Sequence, residues 1–334
     1  MRLLRLVYLL VGIGLLALVV SRTDLAEVGG RLAEVGAAGI AVVLVVYGLA
    51  FVADTASWQL TFPSLPFNGR WLCRLWRVRM IGEAFNTVLP AGSFGGEPAK
   101  AMLLKKRYHI VYAESAASLV LIRTTNLLAM IVFAAVGFVL MRNSEALIAR
   151  FGSLAGVGLA ALAVGVVGFF AVQRWRLASR LGRWLAGARL RGRLERFLAH
   201  IQDADNRFAG FYRQRPGHFA GALALSLSNW LLGTVELYCV MYFLGHPLSL
   251  TEAWSVEAVL QLVRTATFFI PAQLGALEAS TVLMIGVLTG APSLGLAAAL
   301  VRRARDLVFI ASGMGLGWLI SFSPAVAISD SGEK

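Results

Sequence analysis

The chain has 334 residues, of which 58% are hydrophobic and 15% are charged, and its formal net charge at pH 7 is +13. Its mean hydropathy of +0.73 excludes an ordinary soluble globular protein. Runs such as Leu119–Met141 and Leu294–Ile320 exceed the ~20 mainly apolar residues that a helix needs to cross a bilayer. We therefore predict an all-α polytopic membrane protein in which residues 1–334 form a single membrane domain.

The positive charge is concentrated beside the predicted spans. Arg residues crowd into the flanking segments, and above all into the basic segment 173–216. This distribution follows the positive-inside rule, and such segments also contact anionic lipid headgroups. We therefore expect membrane lipids as partners and no nucleic acid. Because Arg2 and Arg5 precede the first apolar run, we expect a cytoplasmic N-terminus.

The Cys and His residues suggest neither a metal site nor a disulfide framework. The two Cys, Cys73 and Cys239, lie far apart, and the four His are scattered near span ends. Neither zinc-ligand spacing nor an HExxH motif is present. We expect no metal and no cofactor.

Six full spans are predicted along the chain, with the N- and C-termini and the basic segment 173–216 in the cytoplasm. A short charged helix over 24–35 separates the first two spans. Asp54 and Gln59 lie near the end of the second span, where we expect solvation at the interface. In chain order, the predicted spans are Leu3–Val20, Gly36–Leu60, Val111–Met141, Phe151–Val172, His218–Leu244 and Leu294–Ile320.

Two further stretches combine helix breakers with charge. The first, LPAGSFGGEPAKAMLLKK, begins at Leu89, and the second, IPAQLGALE, begins at Ile270. In both, a Glu follows a Pro by seven positions, at Glu97 and Glu278. Irregular backbone at membrane depth is tolerated only where it is buried in protein or lines a wet cavity. We predict two re-entrant helical hairpins, with two tilted full crossings as the alternative for the first.

An Arg follows each Glu at nearly the same distance. Arg123 follows Glu97 by 26 positions and Arg303 follows Glu278 by 25, and each begins an Arg-x-x-Asn/Asp pattern. We predict an inverted repeat, the symmetry that allows alternating access by exchanging which half is open. The half-repeats are residues 36–141 and 217–320, approximately, joined by the basic segment 173–216.

Arg123 lies about 12 residues into its predicted span, or roughly 18 Å along a helix. A charge near the bilayer midplane costs about 2.5–3.5 kcal/mol on insertion scales, so it needs a charged partner or water. Glu97, Glu83 and Glu278 are the candidate partners. Two interpretations stay open: an ion pair that locks the hairpin, and a cavity-lining role.

Helix N-termini at the Gly-rich breaks offer N–H groups and a positive dipole end. Together with Arg123, Arg303 and Lys100, they would favour an anionic headgroup such as phosphate. The alternative is that the glycines only allow tight helix packing. The candidate substrate-binding and translocation residues are Glu83, Asn86, Pro90, Gly95, Gly96, Glu97, Lys100, Arg123, Asn126, Arg264, Pro271, Gly275, Glu278, Arg303 and Asp306.

These motifs resemble those of a known family. NTVLPAGSFGGEPAKAMLLKKR (Asn86–Arg107) and AASLVLIRTTNLL (Ala116–Leu128), with FFIPAQLGALEAS and RRARDLV in the second half, resemble the lysylphosphatidylglycerol synthase transmembrane-region, or flippase-like, family. The ending and the length resemble its subgroup associated with hopanoid biosynthesis. The resemblance implies a bacterial inner-membrane protein that moves or handles a lipid. Asn126 stands where the family often has Asp, which leaves Glu97 as the expected partner of Arg123.

The leading hypothesis is a lipid translocase or lipid-transport component that performs no covalent chemistry. One alternative is an intramembrane lipid-modifying enzyme with Glu83 and Glu97 as acid and base. Another is a scaffold that binds lipid-biosynthesis enzymes through the Arg174–Arg215 loop. The sequence shows no nucleophile–His–acid set, so we expect a protein that is not an enzyme. The lipid, the direction of movement and the oligomeric state stay open.

Overall fold

The computed structural model describes residues 25–88, 96–174, 215–268, 270 and 273–321. Regular structure within these ranges is helical, as the composition predicts. We number the helices in chain order. They are α1 (Leu25–Leu60), α2 (Gly69–Val88), α3 (Gly96–Tyr108), α4 (Tyr112–Met141), α5 (Glu145–Arg174), α6 (Pro216–Phe243), α7 (Leu250–Ala266), α8 (Ala276–Thr289) and α9 (Pro292–Ser321).

Four of the described helices, α1, α4, α5 and α6, are long and apolar enough to cross a membrane. They correspond to four of the six predicted spans. α9 has 30 residues, but its apolar character is interrupted by four charged residues between Arg302 and Asp306. The predicted first span, Leu3–Val20, lies outside the described residues. The protein is therefore a multi-pass membrane protein, and the spans beyond these four stay predictions.

α1 changes direction at Gly36. This residue has φ 59° and ψ −179°, a conformation that glycine adopts far more readily than residues with a side chain. Two helical stretches therefore meet at Gly36, at the boundary predicted between the short charged helix and the second span.

The end of α1 is more enclosed than the sequence suggests. Asp54 and Gln59 were expected at a solvated interface, but their relative exposures are only 5% and 1%. The Gln59 amide nitrogen donates to the carbonyl oxygens of Pro66 and Asn68, at 2.9 and 3.1 Å. The connection between α1 and α2 thus folds back over the end of α1 and buries these polar groups.

α1 and α6 pack against each other in opposite directions. Near the end of α1, Ser57 donates to the carbonyl oxygen of Ala222 at 2.8 Å and shares a hydrogen bond with Ser226 at 2.9 Å, both in the first half of α6. Near the beginning of the span, Gly39 lies against the ring of Phe243, the last residue of α6. The beginning of one helix therefore meets the end of the other.

α2 and α3 form an antiparallel helical hairpin. The ring centroids of Trp71 and Tyr108 lie 5.8 Å apart at its open end, and the Gly96 N–H donates to Asn86 at 2.7 Å near its turn. Gly96 lies so close to the Gly82 carbonyl that a side chain there would collide with it. α3 has 13 residues and is about 20 Å long, shorter than the ~30 Å hydrocarbon core of a bilayer.

α7 and α8 also contact each other. Ser249 begins α7 with a capping box, in which its side chain accepts from the Glu252 N–H and the Glu252 carboxylate accepts from the Ser249 N–H at 2.8 Å. Gly275, with φ 78°, immediately precedes α8, and its N–H donates to Glu278 at 2.7 Å. α8 has 14 residues and is about 21 Å long, so it is also too short to span.

Helix contacts in the first half recur in the second. We match α1 to α4 in order with α6 to α9, so that α2 corresponds to α7 and α4 to α9. The contact of α2 with α9 then has its counterpart in the contact of α7 with α4. Likewise, α4 packs on α6 as α9 packs on α1, and the two hairpin helices contact each other in both halves. The antiparallel pair of α1 and α6 lies at the centre of this arrangement.

Two buried apolar clusters hold the hairpins in place. The larger contains Leu237 of α6, Val256 of α7 and Leu296 of α9. The smaller contains Trp58 of α1 and Leu104 of α3. Close packing of this kind is a main source of helix association inside lipid, where tails compete with apolar side chains. Each hairpin is thus packed against long helices rather than isolated.

We expect Gly96→Ala to destabilise the first hairpin, because a Cβ at this position would collide with the Gly82 carbonyl group. Overpacking of this kind costs about 1–3 kcal/mol. Thermal unfolding of the purified protein in detergent measures the effect. Gly69→Ala is the matched control, since nothing lies within 4 Å of a Cβ there. Equal melting temperatures for the two variants would contradict the tight contact.

Candidate functional site

Lys100 joins two carboxylates across the first hairpin. Its Nζ lies 2.7 Å from Glu83 Oε1 on α2 and 3.3 Å from Glu97 Oε1 on α3. Glu97 also forms an ion pair with Arg123 of α4, the partner expected from the sequence. We call Glu83, Glu97, Lys100 and Arg123 the first network. It ties the two hairpin helices to a long apolar helix.

Lys100 has a different environment from the one expected. Its side chain is 5% exposed, and its carbon stem lies across Gly82, where a Cβ would collide with it. The sequence suggested that this ammonium would attract an anionic headgroup, but two carboxylates already neutralise it. Lys100 therefore stabilises the hairpin in this conformation.

Asn86 links the two helices near their turn. Its amide nitrogen donates to Glu83 Oε2 at 3.1 Å, and its Oδ1 accepts from the Gly96 N–H at 2.7 Å. The first N–H of α3 is thus bonded to a protein side chain. At this position the protein, and not a ligand, satisfies the helix N-terminus.

Arg123 is the most exposed member of the first network. Its side chain is 46% exposed, against 17% for Glu97, although α4 is one of the apolar helices long enough to span. The exposed part of this side chain contacts whatever medium surrounds α4. Lipid tails solvate a charge poorly, so water or a polar headgroup is the favourable neighbour.

Asp54 is a site residue that the motifs did not reveal. It forms an ion pair with Arg79 of α2 and accepts a hydrogen bond from the Asn126 side chain at 3.0 Å. Asn126, the position at which this sequence departs from Arg-x-x-Asp, therefore contacts a carboxylate supplied by α1. The signal was available in the sequence, because an acidic residue inside an apolar helix is a functional-site hypothesis by default.

The second half contains a corresponding Glu–Arg pair. Glu278 of α8 forms an ion pair with Arg303 of α9. Arg303 Nη1 also lies 4.0 Å from Asp306 Oδ2, and Arg305 Nη2 lies 2.6 Å from Asp306 Oδ1. The charged residues that interrupt α9 are thus neutralised by neighbouring carboxylates.

Two further carboxylates extend these contacts into the protein interior. Glu236 of α6 forms an ion pair with Arg305, and its Oε1 lies 3.5 Å from Arg302 Nε. Glu257 of α7 accepts from both terminal nitrogens of Arg302, at 2.9 and 3.2 Å. The second network comprises Glu236, Glu257, Glu278, Arg302, Arg303, Arg305 and Asp306.

One face of α1 lies between the two sets of charges. The Arg305 guanidinium carbon is 3.9 Å from the Tyr47 ring centroid, and that of Arg79 is 5.0 Å from the Phe51 ring centroid. Tyr47, Phe51 and Asp54 follow one another at helical spacing, so they share this face. α1 therefore contacts both halves of the candidate site.

Arg264 of α7 lines a small cleft together with Glu278, Arg303 and Asp306. Its guanidinium forms no hydrogen bond or ion pair with the residues that the structure describes, and its Nε is buried. Arg303 Nη2 likewise has no partner among those residues. The cleft volume is about 30 Å³, which holds one or two water molecules.

Most of the predicted site residues lie on the two hairpins and on the helices that the hairpins contact. Pro90, Gly95 and Pro271 lie outside the described residues. Within the described ranges, no group of three or more His, Cys, Asp or Glu side chains could hold a metal ion. Charged residues that the motif analysis missed are Asp54, Arg79, Glu236, Glu257, Arg302 and Arg305.

One family profile matches the chain. The lysylphosphatidylglycerol synthase TM region matches residues 5–313, nearly the whole sequence. No curated protein and no solved structure matches. The match confirms the resemblance at the level of the family, and the hopanoid-associated subgroup stays a prediction.

We expect Glu236→Gln to destabilise the protein more than Glu27→Gln. Glu236 is 1% exposed and pairs with Arg305, and removing one partner of a buried pair costs about 3–5 kcal/mol. Glu27 pairs with Arg31 on an exposed surface, where such a pair contributes about 1 kcal/mol or less. Unfolding in detergent compares the two variants. Equal losses of stability would show that the second network does not support the fold.

Proposed function

We propose that this chain, which belongs to the lysylphosphatidylglycerol synthase TM-region family, moves a membrane lipid between leaflets by alternating access. The family is a lipid-related membrane family. The proposed substrate is a lipid with a polar or anionic headgroup, either a phospholipid or a hopanoid. We place the protein in the bacterial inner membrane with both termini in the cytoplasm.

The antiparallel contact of α1 with α6 supports an inverted repeat. These helices hold the same position in their halves, yet Ser57 near the end of α1 bonds to Ala222 near the beginning of α6. An axis that exchanges two antiparallel helices lies across them, and therefore in the membrane plane if they span. Inverted repeats with discontinuous helices at their interface are typical of secondary transporters.

The short hairpin helices support re-entry. Helices of 13 and 14 residues do not reach across a hydrocarbon core of about 30 Å. Glu97 and Glu278 lie in the first turn of α3 and α8, next to the turns. If the hairpins enter from opposite sides, both Glu–Arg pairs lie near the middle of the bilayer, where substrate sites of such transporters occur.

The exposure of Arg123 is the observation that carries the proposal. An arginine side chain that is 46% exposed on an apolar helix favours water or a headgroup beside its charge, because lipid tails solvate a charge poorly. A purely structural ion pair would favour enclosure by protein. A cavity-lining role accounts for both the charge and its exposure.

The neighbouring charges allow Arg123 to change partner. Glu97 contacts both Arg123 and Lys100, so it keeps its contact with Lys100 when a headgroup takes over the guanidinium. In the second half, Arg303 is close to both Glu278 and Asp306. Glu97 and Arg303 thus each keep one partner of opposite charge when the other partner is released, whereas a buried charge left without any partner would cost several kcal/mol.

We expect Arg123→Ala and Glu97→Gln to lower the rate of lipid translocation by at least about tenfold, the effect of ~1.4 kcal/mol on a barrier. The assay uses purified protein in liposomes with fluorescent phosphatidylglycerol or phosphatidylethanolamine, and dithionite reports which leaflet the probe occupies. Arg142→Gln removes an exposed charge beyond the end of α4 and serves as the control. Unfolding in detergent checks that each variant is folded.

Translocation at wild-type rates in folded Arg123→Ala and Glu97→Gln would overturn the proposal. The enzyme alternative predicts something else, a lipid product of altered mass after incubation with purified protein. The scaffold alternative predicts that removal of the basic segment 173–216 abolishes the function in cells while purified protein moves no lipid. The three hypotheses therefore predict different results in the same set of measurements.

A further inference from the structure

The two hairpins differ at two corresponding positions. The same number of positions separates Glu97 from Glu278, Glu83 from Arg264, and Lys100 from Thr281. The structure supports this alignment, because Glu97 and Glu278 both lie in the first turn of the second hairpin helix and both pair with an Arg of the following long helix. The aligned positions therefore correspond structurally in the two hairpins.

In the first hairpin, a protein side chain fills the space between the two carboxylates. Lys100 contacts Glu83 and Glu97 at 2.7 and 3.3 Å. In the second hairpin, Thr281 takes the place of Lys100, and its hydroxyl donates to the carbonyl oxygen of Leu277 on its own helix at 2.7 Å. No long cation from α8 thus enters the corresponding space.

The charge at the other position is reversed. Where α2 has Glu83, α7 has Arg264, whose guanidinium has no carboxylate within 4.0 Å among the described residues and whose buried Nε makes no hydrogen bond. A partly buried guanidinium without hydrogen bonds is unfavourable unless a counter-charge or water contacts it. Arg303 faces the same cleft, and while its Nε holds Glu278, its Nη2 is free of described partners.

We infer that the second hairpin contains a binding site for a phosphate group between Arg264 and Arg303, and that Lys100 occupies the equivalent space in the first hairpin. Guanidinium groups bind phosphate oxygens through pairs of charge-assisted hydrogen bonds. Arg264 contributes its unpaired nitrogens, and Arg303 contributes Nη2 without releasing Glu278. The inference rests on the proposed function where the phosphate belongs to a lipid headgroup, and a free phosphate ion has the same chemistry.

Binding at this site requires movement. The cleft volume of about 30 Å³ suits one or two water molecules, so a phosphate enters only if α7 and α8 separate from α9. A ligand that binds the open form better than the closed form shifts the population towards it.

The first test measures phosphatidylglycerol bound to the protein in nanodiscs by native mass spectrometry, with inorganic phosphate titrated in a separate arm. We expect Arg264→Gln to weaken binding by at least about tenfold, and Arg264→Lys to retain part of it, because an ammonium keeps the charge but not the planar pair of donors. Arg150→Gln, which removes an exposed charge at the beginning of α5, is the control with unchanged binding.

The second test copies the first hairpin into the second. The double substitution Arg264→Glu with Thr281→Lys places a carboxylate and an ammonium beside Glu278, as Glu83 and Lys100 lie beside Glu97. We expect this variant to fold and to lose phosphate binding, since the ammonium now fills the cleft. Its melting temperature separates loss of binding from loss of fold, and Arg264→Gln tests the site independently if the double variant does not fold.

The outcomes separate the inference from the proposed function. Loss of phosphatidylglycerol binding in Arg264→Gln identifies the lipid headgroup as the source of the phosphate, whereas loss of inorganic phosphate binding alone identifies the free ion. If both ligands bind Arg264→Gln as tightly as wild type while wild type still translocates lipid, the site is wrong and the function stands. If wild type moves no lipid in liposomes, the proposed function fails whatever the phosphate measurements show.

Discussion

An ion pair between a hairpin Glu and an Arg on the following long helix occurs in both halves, as Glu97 with Arg123 and as Glu278 with Arg303. This contact connects the short helices, which cannot span by themselves, to helices that are long enough to do so. It also determines which other residues are possible nearby, because each additional charge inside the bilayer needs its own compensation. The remaining charged contacts follow from this requirement.

The two halves meet the requirement in different ways. The first half uses Lys100 as a built-in counter-ion between Glu83 and Glu97, and pairs Asp54 with Arg79 beside it. The second half balances four carboxylates, Glu236, Glu257, Glu278 and Asp306, with four arginines of α7 and α9. Arg264 contributes only its charge to that balance, since it forms no ion pair with any of the four carboxylates. Lys100 therefore fills the space between the carboxylates of the first hairpin, whereas the second hairpin has a cleft beside Arg264.

Sequence patterns predicted the elements with strong local signals. Hydropathy identified the long helices, the helix boundary predicted at Gly36 coincides with the break in α1, and the matched spacing from Glu to Arg singled out four residues that form ion pairs, although it left three candidate partners for Arg123. Burial was much harder to predict, because it depends on which helices meet. Asp54 pairs with Arg79 from a different helix, so no local pattern joins them. The contact of Lys100 with Glu83 and Glu97 likewise depends on the close approach of its side chain to α2 at Gly82. The lack of a described partner for Arg264 depends on where the carboxylates of other helices lie.

Alternating access in this protein requires that the two hairpins enter the membrane from opposite sides and exchange access to a shared path. Single cysteines introduced by Pro90→Cys and Pro271→Cys, in a protein whose free Cys73 and Cys239 are replaced by Ser, test this most directly. A membrane-impermeant thiol reagent is applied from one side or the other of sealed, oriented vesicles. We expect the two positions to be labelled from opposite sides, and added lipid substrate to change the two labelling rates in opposite directions. Labelling of both positions from the same side would contradict it.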